Sequence, residues 1–87
     1  MNIEYSKHAA KYLMALDKPT RKRIGNAIEG LTETPPQGDI KLLQGYVAKT
    51  FRLRVGKFRI IYRYDVDTNE CEILYVSDID SRGDIYK

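Results

Sequence analysis

The chain has one cysteine, Cys71, and one histidine, His8, in 87 residues. A lone thiol forms no intramolecular disulfide and no cysteine-rich metal site, so neither a catalytic histidine, a zinc centre nor a Ser-His-Asp triad is expected, and no cofactor or metal is implied. No apolar run approaches the ~18 residues that a membrane-spanning helix needs, and the first residues lack the charged-then-apolar layout of a secretory signal. The expectation is a cytoplasmic protein with no membrane partner. Repeats, linkers and low-complexity stretches are missing too, so residues 1–87 are expected to fold as one domain around a single modest core.

Acidic residues are absent from Lys49 to Arg63, KTFRLRVGKFRIIYR, which holds six basic ones. Phe51, Leu53 and Val55 alternate with Thr50, Arg52 and Arg54, and after Gly56-Lys57 the alternation resumes with Phe58, Ile60 and Tyr62 against Arg59, Ile61 and Arg63. This predicts a β-hairpin with Gly56 at a positive-φ turn position. Val55 then faces Phe58, Leu53 faces Ile60 and Arg54 faces Arg59, so one side is apolar and the other gathers Arg52, Arg54 and Arg59. Like charges facing each other cost up to ~1 kcal/mol, which an anionic ligand would relieve. Basic residues on an exposed strand also serve solubility alone, but the planar arginine fork suits phosphate oxygens.

Charge is also unevenly distributed along the chain. Residues 1–64 hold 13 Lys/Arg against 5 Asp/Glu and residues 65–87 hold 2 against 7, giving +8 and −5 within a net +3. Segregated basic charge favours a polyanionic partner without naming it.

Ile3 and Tyr5 alternate with polar neighbours as a first strand. Ser6 then stands as N-cap of a helix over about 6–16, with Ala9, Tyr12, Leu13 and Leu16 as its apolar stripe and His8 as a surface residue. Asp17-Lys18-Pro19 restarts a second helix whose stripe is Ile24, Ala27, Ile28 and Leu31, ended by Thr34-Pro35-Pro36. Residues 35–46 lack a period and read as a loop. Residues 65–70 read as a polar turn, and Cys71 to Ser77 as a further strand covered on both faces, with Cys71 a small packing residue. The order β-α-α-β-β-β predicts an α+β fold, with two consecutive helices packed on one face of a small, mostly antiparallel sheet and the arginines on the other.

Three segments, LDKPTRKRI (16–24), KLLQGYVAKTFRLRVGKFRIIYRY (41–64) and RGDIYK (82–87), make the chain resemble the RelE/ParE superfamily of type II toxin–antitoxin toxins, most closely the RelE branch. The resemblance implies a RelE-like fold and a ribosome-dependent endoribonuclease that cuts A-site mRNA and is silenced by a RelB-like antitoxin. By that resemblance Arg52 and Arg54 bind RNA phosphates, Arg59 stabilises the transition state and Tyr86 acts in catalysis; Lys49 and Lys57 of the same basic stretch are further candidates for phosphate binding. A further functional arginine of the RelE pattern falls on Asp80 here, and Arg82 is the candidate to replace it. RNA carries its own nucleophile in the 2′-hydroxyl, which leaves the protein to hold in-line geometry and stabilise the phosphorane. Tyr86 is then the expected base, ahead of Asp80 or Asp84. The alternative within the superfamily is a ParE-like toxin that poisons DNA gyrase without catalysis, or an inactivated binding relative.

Overall fold

The computed structural model describes residues 1–81. Arg82, Asp84 and Tyr86 lie outside the described residues. The elements are β1 (Asn2–Tyr5), α1 (Lys7–Met14), α2 (Lys18–Glu29) with a 3-10 turn at Gly30–Thr32, β2 (Asp39–Leu43), β3 (Thr50–Val55), β4 (Phe58–Val66) and β5 (Glu72–Ser81). One sheet runs β1-β5-β4-β3-β2, with β1 parallel to β5 and the other pairs antiparallel. The α+β arrangement is as expected from the periodicities, and both helices lie on the same side. Ala9, Ile24, Ile28 and Leu31 are buried against Leu53, Ile60, Tyr62, Leu74, Val76 and Ile79.

Local chemistry accounts for the helix starts. Ser6 accepts a hydrogen bond from the Ala9 N–H while its own hydroxyl donates to the Ser77 carbonyl, so one side chain caps α1 and fastens it to β5. Asp17 accepts from both the N–H and the hydroxyl of Thr20, with Pro19 in the first turn where its missing N–H costs nothing. The expected hairpin register holds, pairing Val55 with Phe58, Leu53 with Ile60 and Arg54 with Arg59, and Gly56 has φ +58°.

Three expectations are corrected. The segment read as a loop contains β2, whose Ile40 and Leu42 pair with Leu53 and Phe51 at the sheet edge; Leu43 breaks the alternation that would have signalled it. The last strand runs to Ser81 rather than Ser77, and Cys71 is exposed instead of packed. Between Ile61/Asp78 and Tyr62/Val76 the β4–β5 register shifts, leaving Ser77 as an extra residue whose hydroxyl donates to the Ile61 carbonyl. This bulge changes the phase of β5. Leu74 and Val76 point to the core, and beyond the bulge Ile79 does, which turns Asp78 and Asp80 to the open face.

An apolar row, Ile40–Leu53–Ile60–Ile79, therefore crosses four strands on the core side. Gly38 leads into it with φ +127°, and a Cβ there would stand 2.5 Å from Leu53 Cδ1. Gly38→Ala is expected to cost about 2 kcal/mol or more, from backbone strain and overpacking together. Gly45→Ala, with φ +88° but nothing within 4 Å, carries the strain alone and costs less. Urea denaturation of both variants checks the order. The hydrogen bonds from Thr20 hold the Asp17 carboxyl below its ordinary value. The stability this adds is present above the unfolded carboxyl pKa and is lost as pH falls through the lower folded value. Melting temperatures of Asp17→Asn across the acid range should accordingly show a shallower decline than wild type.

Candidate functional site

The open face is ordered by strand register. One row across four strands reads Asp39–Arg54–Arg59–Asp80, and the next reads Lys41–Arg52–Ile61–Asp78. Directly paired side chains on a sheet have Cβ atoms about 5 Å apart, so the arginine pair in the first row is flanked by a carboxylate on each side. Asp39 lies 3.2 Å from Arg52 Nη2 and 3.8 Å from Arg54 Nε. Of the two arginines brought face to face by the hairpin, Arg54 is thus compensated from within the sheet, and Arg59 has Asp80 opposite it in register. The repulsion inferred from the hairpin alone does not by itself call for a ligand.

The arginines are not equivalent. Arg52 is 8% exposed, paired across strands with buried Ile61 and hydrogen-bonded to Asp39. Ile61, on the open face by register, is nonetheless buried. Arg54 is exposed, and Arg59 is half-buried between Arg54 and Asp80. Among the described residues Arg59 makes no ion pair, and its Nε is buried without a hydrogen-bond partner. A buried guanidinium N–H lacking an acceptor is costly, and an anionic oxygen is the group that fits it.

The other sequence candidates do not converge on this row. Lys49 sits before β3, about 16 Å along the strand from Arg54. Lys57 is in the hairpin turn with its ammonium 5.5 Å from the Phe58 ring, on the core side of the sheet. Tyr86 and Arg82 lie outside the described residues. Two tyrosines of β4, Tyr62 and Tyr64, face the core, and burial raises the pKa of each hydroxyl, so neither is placed or poised to remove a proton at the arginine row.

Sequence reading missed Asp39 and the placement of Asp80. Asp39 stands in the segment without a period; Asp80 stands out in the sequence only as a departure from the RelE pattern, and the bulge that turns it toward Arg59 leaves no more than one break in the apolar parity of β5. His8 was read as a plain surface residue, yet its Nε2 lies 2.8 Å from Asp78 Oδ1 at the rim of the same face. Among the described residues no group of three or more His, Cys, Asp or Glu is arranged to hold a metal ion.

These differences give separate expectations for polyanion binding. Arg54→Ala and Arg59→Ala should each lower the slope of log K against log salt for single-stranded RNA by about 0.7, one phosphate contact apiece. Arg52→Ala should change that slope less and instead cost about 1–2 kcal/mol of stability, because its stem is buried. Asp39→Asn should tighten RNA binding by releasing both guanidinium groups. Fluorescence anisotropy at several salt concentrations, alongside urea denaturation, measures all four.

Comparison with known proteins places this geometry in a family. A family model described as the ParE toxin of the type II toxin–antitoxin system, parDE, matches residues 3–86. Among solved structures, the chain is similar to the toxin–antitoxin complex RelBE2 from Mycobacterium tuberculosis, with a TM-score of 0.68, 22% identity and coverage of 93% of this chain and 96% of that one. It is also similar to the RelB-RelE antitoxin–toxin complex from Methanococcus jannaschii, with a TM-score of 0.67, 27% identity and coverage of 95% and 94%. A search of curated proteins finds no match. The helix pair on a five-stranded sheet and the family match over nearly the whole length lead to one conclusion: the chain belongs to the ParE toxin family and is a type II toxin–antitoxin toxin of the RelE/ParE superfamily.

Proposed function

We propose that this toxin is a ribosome-dependent endoribonuclease that cuts mRNA, with Arg59 as the group that meets the scissile phosphate. The observation that carries this reading is the buried Arg59 Nε, which has no acceptor among the described residues and stands beside the exposed Arg54 on the open face. A phosphate oxygen supplies the acceptor, and as the phosphorane gains charge the same contact strengthens, which is the condition for catalysis rather than mere binding. Attack comes from the substrate's 2′-hydroxyl. Proton removal is assigned to Tyr86 and help to the leaving group to Arg82, both in the segment that follows β5. The partner in the resting state is a RelB-like antitoxin, in keeping with the two solved relatives, which are toxin–antitoxin complexes. Its site of action is the cytoplasm, at the ribosomal A site.

A second reading has its own support. The matching family is described as a ParE toxin, and Asp80 places a carboxylate opposite Arg59 where the RelE pattern has an arginine. A chain working this way binds its target, DNA gyrase, and cuts nothing.

Induction followed by mapping of mRNA 5′ ends separates the two. Codon-phased cuts are expected for the nuclease, and intact mRNA with DNA damage for the binding toxin. Replacing the ribose 5′ of the scissile phosphate by deoxyribose should abolish cleavage on programmed ribosomes while binding survives. Arg59→Ala should do the same, losing about two orders of magnitude or more in rate with most of the affinity retained. Efficient cutting of the deoxy-substituted message would require water as the nucleophile and would remove the roles given to Arg59 and Tyr86.

A further inference from the structure

Farther along β4 from Arg59, the open face carries a second arrangement that the arginine row does not use. Arg63 is paired across strands with Tyr75, and its guanidinium carbon stands 4.4 Å from the centre of the Tyr75 ring. Tyr75 in turn is paired with Glu4 of β1. The side chain of Arg63 is 35% exposed, and its one ion pair among the described residues is a long 3.8 Å contact to Asp65. The bulge at Ser77 lies between this pair and the Arg59–Asp80 pair, yet both face the same way, because the change of phase is what brings the two halves of β5 onto one surface.

Along β4 the outward residues are Arg59, Ile61 and Arg63, so the Arg63–Tyr75 stack lies about 13 Å from Arg59, a distance that a nucleotide next to the cleaved linkage, or one beyond it, covers. Guanidinium planes and aromatic rings are the surfaces on which proteins stack unpaired bases. A guanidinium already held over a ring is pre-organised for that use, since little side-chain freedom remains to be lost. We propose that the Arg63–Tyr75 stack is a nucleobase subsite: the base of a nucleotide flanking the scissile phosphate lies on the solvent side of the Arg63 guanidinium, with Glu4 at the rim as an acceptor for its exocyclic amine. This rests on the RNA-cleaving reading and gives it a polarity, with phosphate contacts at the hairpin end of the face and base contacts toward β1.

The test uses the full chain and ribosomes programmed with messages that carry a single abasic ribonucleotide at each position flanking the mapped cut. At one position the abasic change should slow the wild type about ten-fold or more. Tyr75→Leu and Arg63→Lys, which keep apolar bulk and charge but lose ring and plane, should show that loss on the intact message and no further loss on the abasic one. Tyr75→Phe should behave as wild type. Penalties that multiply, or an abasic scan without effect, would overturn the subsite while leaving Arg59-dependent cleavage standing. A wild-type chain that cuts no message would instead remove the nuclease reading, and the subsite with it. Thermal melts identify any variant that fails to fold, and Arg63→Lys, altered only at a surface side chain, carries the test if Tyr75→Leu does so.

Discussion

The apolar row Ile40–Leu53–Ile60–Ile79 governs everything on the opposite side of the sheet. Leu53, Ile60 and Ile79 are fully buried beneath the helices, each worth about 1.5–3 kcal/mol relative to exposure. Because side chains alternate, fixing that row in the core fixes the neighbouring one, Asp39–Arg54–Arg59–Asp80, on the open face. A slip of one residue in any of the four strands would bury a charge and expose an aliphatic side chain together. The site is therefore held in place by contacts on a surface it does not touch, and its arginines have only to find acceptors on their own face.

Carboxylates come from the strands on either side of the hairpin, Asp39 of β2 in ion pairs with Arg52 and Arg54 and Asp80 of β5 opposite Arg59. In sequence the positive charge precedes the negative; in space the strand order inserts β5 beside the basic hairpin, and the two are interleaved. The resting face is closer to neutral than the hairpin alone suggests. For a polyanion this shifts selectivity from long-range attraction to local fit, since a phosphate must compete with Asp39 for Arg52 and Arg54 but meets Arg59 Nε without such competition among the described residues.

The fold was largely legible because its strongest patterns are local. The two helix stripes, the capping residue Ser6, the Asp17-Lys18-Pro19 restart and the hairpin centred on Gly56 each declare themselves within a dozen residues. The hairpin register followed from turn length, and with it the Arg54–Arg59 pair. β2 escaped because this edge strand packs only Ile40 against the core, while Leu42 two residues on is exposed. Asp39 and Asp80 escaped for a different reason. Their place beside the arginines depends on strand order and on a one-residue bulge, both settled by contacts between segments far apart in the chain. In hindsight the bulge leaves a trace: the apolar positions Leu74, Val76 and Ile79 break parity once, between Val76 and Ile79.

Among the described residues β5 is the last strand, yet it enters the sheet between β4 and β1, pairing Ile73 with Asn2 across some seventy residues. Pairings of such long separation form late, after the local hairpin and helices, and pay the largest loop-closure entropy. Until that happens the hairpin displays its arginines with no Asp80 beside Arg59, no Tyr75 beneath Arg63, and a core missing Leu74, Val76 and Ile79. On a ribosome still synthesising it, the nascent chain is thus basic but unformed. The open face, with its arginine row and its Arg63–Tyr75 stack, comes into being only as the most distant parts of the sheet meet.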